Sequence, residues 1–204
     1  MNAPGPVHAG RVAWTGDNSS LYLSLQRDAP YATLASNFRV ARSPHGPGQA
    51  LILIVAPHDA GAPLSLCLSD NEPLARWLVA DFARHFPQLR EREEMAHLRF
   101  VALDAHEQSV ARTRWQERFR GGGRDVLLYW AELGHSAAVT LPAAQSATGR
   151  HQMISVFIDV HRAGGSVDGV PLPGQVFPRQ HLGRRSTTAF LALSETWIEV
   201  EGGA

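Results

Sequence analysis

The sequence predicts an α+β, β-rich domain: a curved antiparallel sheet of roughly nine strands, barrel-like or a sandwich, packed with two amphipathic helices. Three observations carry this. Apolar residues alternate at a period of two along much of the chain, clusters of Gly, Pro, Asn and Asp separate those stretches, and two segments have the spacing of an amphipathic helix. The 204 residues fit a single domain spanning 1–204, with a core large enough to do without disulfides or metal.

Residues 1–10, rich in small residues and proline, read as a loose arm. Val12 to Trp14 and Leu21 to Leu25 read as strands; in the second, Leu21, Leu23 and Leu25 share one face. Arg42 to Gln49 has turn chemistry and leads into Ala50 to Ala56, an apolar run of strand length expected to be covered on both faces. A hairpin-like connection through His58, Asp59 and Gly61 delivers Leu64 to Ser69, with its leucines on one side and Ser65, Cys67 and Ser69 on the other.

Ser69 and Glu72 have capping-box spacing, and Pro73 suits a first turn. A first helix is predicted there, with the stripe Leu74, Trp77, Leu78, Phe82 and Phe86, ending at Pro87. After a solvated turn at Arg90 to Glu94 and a strand at Leu98 to Leu103, Asp104 and Glu107 repeat the capping logic. Val110, Ala111, Trp115 and Phe119 then predict a second helix, capped by Gly121 to Gly123. Beyond it the chain reads as a β-meander: Asp125 to Leu133, Ala137 to Leu141, His151 to His161, a tight turn at Asp168 and Gly169, and Thr188 to Val200.

All nineteen basic residues are arginine, which excludes Schiff-base, PLP and P-loop chemistry through an internal lysine. Nineteen acidic residues balance them to a formal charge of zero, so neither nucleic acid nor a membrane surface is an expected partner. A single cysteine, and the lack of any run of signal-peptide or membrane-spanning length, point to a soluble cytoplasmic protein.

Three constellations are candidate sites. On the strand His151 to His161, Asp159 and His161 lie two residues apart on one side, spaced to reach one metal ion or share a proton in acid–base catalysis, to contact a ligand, or to form a polar solvent face. No HxxxH, HExxH or Cys/His set accompanies them, so no metal or other cofactor is expected. Glu195 follows an apolar strand and sits two residues from Trp197. Partial desolvation there would suit it to general acid or base catalysis, whereas an exposed strand end shared with Glu199 and Glu201 would leave it an ordinary edge charge.

The long connection from Pro171 to Ser186 carries Arg179, His181, Arg184 and Arg185, suited to capturing a carboxylate or phosphate or to lining a subunit interface. Arg112, Arg114, Arg118, Arg120 and Arg124 flank the triple glycine but lack a phosphate-loop pattern. Cys67 becomes a nucleophile only if His58 and Asp59 fold back over it. The reading that best joins these features is a small-molecule-binding protein. Its cavity takes an anionic or partly apolar molecule, with Trp197 against the ligand body and Arg179, His181, Arg184 and Arg185 on its charge. An enzyme acting through Glu195 or Asp159 and His161, and a homodimeric interaction protein using the arginine loop, are the alternatives.

Overall fold

The computed structural model describes residues 9–57, 62–181 and 183–200. Eleven strands form one curled sheet, and two more form a separate hairpin. In chain order the first strands are β1 (Gly10–Ser24), β2 (Tyr31–Arg42), β3 (Gly48–Val55), β4 (Leu64–Ser69) and β5 (Arg99–Ala102). They are followed by β6 (Ala105–Ala111), β7 (Arg114–Gly121), β8 (Arg124–Leu141), β9 (His151–Val167), β10 (Val170–Pro171) and β13 (Ala189–Val200). The separate hairpin is β11 (Pro178–His181) with β12 (Arg184–Thr187).

The sheet runs β5-β4-β3-β2-β1-β13-β9-β8-β7-β6, with β10 on β9. Its pairs are antiparallel except β4 with β5, which is parallel and makes the sheet mixed. The two end strands are consecutive in the chain. Leu103 donates to the Ser69 carbonyl at 2.9 Å and Asp104 to the Arg120 carbonyl at 2.8 Å, so the sheet curls until its ends meet there.

That curl gives β1, β2, β3, β4 and β13 two buried faces. Leu21, Leu23, Leu51, Leu53, Leu66, Leu68, Phe119, Leu128, Trp130 and Leu191 fill the inside. Trp14, Tyr22, Phe38, Ile52, Cys67, Phe82 and Trp197 form a second core on the outside. The apolar run of β3 is accordingly buried on both sides, as expected. The alternation of β4 holds too, with Leu66 and Leu68 inside and Cys67 outside.

Among the described residues there is one α-helix, not two. This is α1 (Glu72–Asp81), which covers the outer face with Leu74, Ala75 and Leu78. Its cap is Asn71, whose Oδ1 accepts from the Leu74 N–H at 3.1 Å. Ser69, the expected cap, instead donates to the carbonyls of Gln49 and Asn71 and closes the end of β4.

The second predicted helix is the β6–β7 hairpin. Ala111, Trp115 and Phe119 are four residues apart, a spacing that one face of a helix and one face of a strand both satisfy. Burial resolves it: Trp115, Glu117 and Phe119 are covered while Arg114 and Arg118 are exposed, a period of two. The glycines are a hairpin turn rather than a helix cap. Gly122 and Gly123 have φ of +57° and +73°, the left-handed geometry of a two-residue loop. A Cβ on Gly122 would also meet Val101 Cγ1 at 2.1 Å. The expected turn at Asp168 and Gly169 is present, with φ of +52° and +81°. No helix among the described residues is long and apolar enough to cross a membrane.

Candidate functional site

A β-bulge sets the site. Along β13, Ala192 and Glu195 face Asn18 and Gly16 of β1, and Leu193 and Thr196 face Val156 and Ile154 of β9, so β13 carries one extra residue against both neighbours. Ser194 takes up the excess at φ +51°. Its N–H donates to Asp17 Oδ1 at 2.9 Å, and Asp17 is itself held by Arg39 at 2.9 Å. A one-residue slip exchanges the faces of everything beyond it. Glu195 and Trp197 therefore join Phe190 and Ala192 on the outer face, where an unbroken strand would have turned them inward.

On that face lies a cavity of about 300 Å³. Its floor is Asn18 and Tyr22 of β1, Met153 and Phe157 of β9, and Phe190, Glu195 and Trp197 of β13. The segment after α1 (His85, Phe86, Pro87, Gln88, Arg90) makes one wall, and Leu141 with Gln145 to Ala147 another. The β11–β12 hairpin supplies Arg179 and His181 at the remaining side.

Glu195 is 3% exposed, and the Trp197 indole N–H donates to its Oε1 at 2.5 Å. Burial pushes its carboxyl up to about 8; the Trp197 hydrogen bond opposes the rise, and the like charge of Asp17 adds to it. No cation acts on it among the described residues. This is the desolvated carboxyl that the sequence pattern offered as one of two readings, not an exposed edge charge. Trp197 in turn stacks on Phe86, with ring centroids 6.0 Å apart, and meets Phe82 edge-on at 5.4 Å.

At the other end Arg179 lies over Phe190 and Tyr22, 5.5 and 5.9 Å from the ring centroids. Its Nε is buried without a hydrogen-bond partner, and no carboxylate pairs with it among the described residues. Beside it, His181 stacks on Phe190 at 6.4 Å and meets Phe157 edge-on at 6.1 Å. Burial, then the charges of Arg179 and Arg184, hold its imidazole down to about 4, so it is neutral at neutral pH. Under the floor, the Tyr22 hydroxyl contacts Ser20 and Ser36 at 3.3 and 3.1 Å, and Ser20 donates to Asn18 at 2.9 Å.

The other sequence candidates fall elsewhere. Asp159 accepts from Arg184 Nη1 and Nη2 at 2.7 and 3.3 Å and from Ser186 Oγ at 2.6 Å, tying the hairpin to β9. His161 and Arg185 are exposed. The structure thus brings Glu195, Trp197, Arg179 and His181 to one cavity and leaves Asp159, His161, Arg184 and Arg185 outside its lining.

Three of the five arginines near the triple glycine pair with acids, Arg118 with Asp125, Arg120 with Glu107 at 2.8 Å and Arg124 with Asp168 at 2.6 Å, and Arg114 lies over the Tyr129 ring. Cys67 is buried, and desolvation pushes its thiol up to about 12, which removes thiolate character. His58 and Asp59 lie outside the described residues. A second buried carboxylate, Glu117, sits inside the curl. It accepts from Ser19 at 3.0 Å, from Trp115 at 2.6 Å and from Asn37, with His106 Nε2 3.4 Å away. No three His, Cys, Asp or Glu side chains converge as a metal site among the described residues.

Sequence reasoning passed over Tyr22, Phe157 and Phe190, which line the cavity. Tyr22 carried a usable signal, because it points away from the leucine face of its own strand. The hairpin was not legible, because Arg179, Gln180 and His181 are all polar and show no apolar alternation; pairing of β11 with β12 reveals it. No protein-family model, curated protein or solved structure matches this chain.

Proposed function

We propose that the protein binds a small, partly apolar molecule carrying an anionic group in the cavity between β13 and the β11–β12 hairpin. The observation that carries the reading is Arg179, a guanidinium facing aromatic rings with a buried, unpartnered Nε and no carboxylate of the described chain to neutralise it. A ligand carboxylate or phosphate would supply that partner, and Tyr22, Phe157, Phe190 and Trp197 would cover its body. The volume of about 300 Å³ is at the small end of the range for ligand sites.

Calorimetric titration with a medium-chain fatty acid, octanoate, tests it. Arg179→Ala is expected to weaken binding by about tenfold or more, as loss of a charge-assisted bond should, while Arg185→Ala leaves it unchanged. Equal effects of the two substitutions would sink the proposal. A second reading, acid–base catalysis by Glu195, is favoured by the carboxyl's rise to about 8, close to the working range of a general acid. Its test is a Glu195→Gln variant that still binds ligand; unchanged turnover would remove the role.

A further inference from the structure

The geometry points to a two-ended ligand: an ammonium group seated against Glu195, joined through an apolar spacer to the anionic group at Arg179. The inference rests on the cavity reading above and specifies its occupant. Among the described residues, Glu195 is the one acidic side chain lining the cavity. Its only side-chain hydrogen bond among the described residues is from the Trp197 indole, and the charge that acts on it, Asp17, has the same sign. A carboxyl enclosed in this way lacks a cation, just as Arg179 at the opposite end lacks an anion.

Trp197 turns its N–H edge to one oxygen of Glu195 and stacks its face on Phe86. A ligand ammonium at Glu195 would gain the attraction of a carboxylate in a dry site, whereas a ligand carboxylate there would meet a like charge. Strand geometry gives the length. Phe190, under Arg179, and Glu195 are five residues apart with one taken up by the bulge, so the two ends are separated by on the order of 10 Å. An α-amino acid is too short to span this; an amine and an acid joined by a medium-length apolar chain fits.

The pairing has a proton signature. Glu195 is protonated at neutral pH, so an incoming ammonium displaces its proton to solvent and leaves a carboxylate–ammonium pair. The other titratable or charged groups around the cavity, among the described residues, are Asp17 and Tyr22 on β1, His85 and Arg90 on the wall, His151 on β9, and Arg179 and His181 on the hairpin; burial pushes the Tyr22 phenol up, so it stays protonated. His151 and His181, both held below the ordinary imidazole range first by burial, would take up protons, not release them, when a carboxylate arrives. Octanoate serves as the baseline for that uptake.

The experiment is calorimetry of the full chain near neutral pH in two buffers of different ionisation enthalpy, with ω-aminooctanoate, octanoate and octylamine as probes. The expected result is that ω-aminooctanoate binds about tenfold more tightly than octanoate and releases close to one more proton. Glu195→Gln should erase both differences, its fold being checked by near-ultraviolet circular dichroism. The buffer comparison on the unaltered protein gives the same answer without the variant. Octanoate binding as tightly as the amino acid, or amino-acid binding with no extra proton release, overturns the inference. If octanoate still depends on Arg179, the cavity reading survives that outcome; if none of the three probes binds, both fall.

Discussion

Glu195 and His181 face one cavity with displaced proton affinities, and the sign of each displacement fixes how stability responds to pH. The Glu195 carboxyl rises from an ordinary 4.5 to about 8. The folded chain therefore keeps a proton that the unfolded chain releases. The stability this contributes is whole below about pH 4.5 and is lost as pH rises through about 8. His181 moves the other way, from 6.5 down to about 4. Its contribution is whole above about pH 6.5 and is lost as pH falls through about 4. Scanning calorimetry should show the thermal midpoint of the native chain dropping between neutral and mildly alkaline pH, with Glu195→Gln lacking most of that drop. Parallel pH profiles for the two proteins would contradict the assigned burial of Glu195.

Two elements position these residues, and each depends on a single device. In β13 the device is the Ser194 bulge, with Asp17 accepting its N–H. In the β11–β12 hairpin it is Asp159, which engages Arg184 and Ser186 from β9. The hairpin belongs to no larger sheet, so this contact is a principal tie holding Arg179 and His181 over the cavity. Asp159→Ala leaves Arg184 and Ser186 without their acceptor, a loss of about 1–3 kcal/mol for partly buried partners. Because the hairpin is peripheral, the effect should be local. Amide exchange in the hairpin should speed up about tenfold or more, with little change in the exchange of β1, β2 and β3. Unchanged hairpin exchange would show that Asp159 is not its tether.

At the scale of the molecule the sheet carries two cores, and the outer one doubles as the support of the site. Phe82, fully buried just beyond α1, touches Trp14, Trp77, His151 and Trp197 at centroid distances of 4.8 to 6.0 Å. It transmits the packing of the helix to the tryptophan that holds Glu195. Phe82→Ala should lower unfolding free energy by about 3–5 kcal/mol in urea titration, and it should weaken octanoate binding as well, since Trp197 loses its edge contact. A loss below about 1 kcal/mol would mean that the outer core relaxes around the gap.

Local patterns in the sequence settled what depends on neighbours along the chain. The period-two leucines Leu21 and Leu23 of β1 and those of β4, the doubly buried run of β3 and the Asp168–Gly169 turn all follow from side-chain alternation or backbone sterics, and the start of α1 near Glu72 was legible from Pro73 and the apolar stripe although Asn71, not Ser69, caps it. Only the tertiary structure decided what depends on neighbours across the sheet. The Trp115 to Phe119 spacing suits helix and strand alike, and pairing of β7 with β8 selects the strand. β2, whose buried Ser36 and Asn37 blur its apolar alternation, acquires strand form between β1 and β3. The bulge at Ser194 is visible only as a mismatch of register between three strands. That one extra residue puts Glu195 on the face that also carries Arg179, because a curled sheet brings β1, β9, β13 and the hairpin together there.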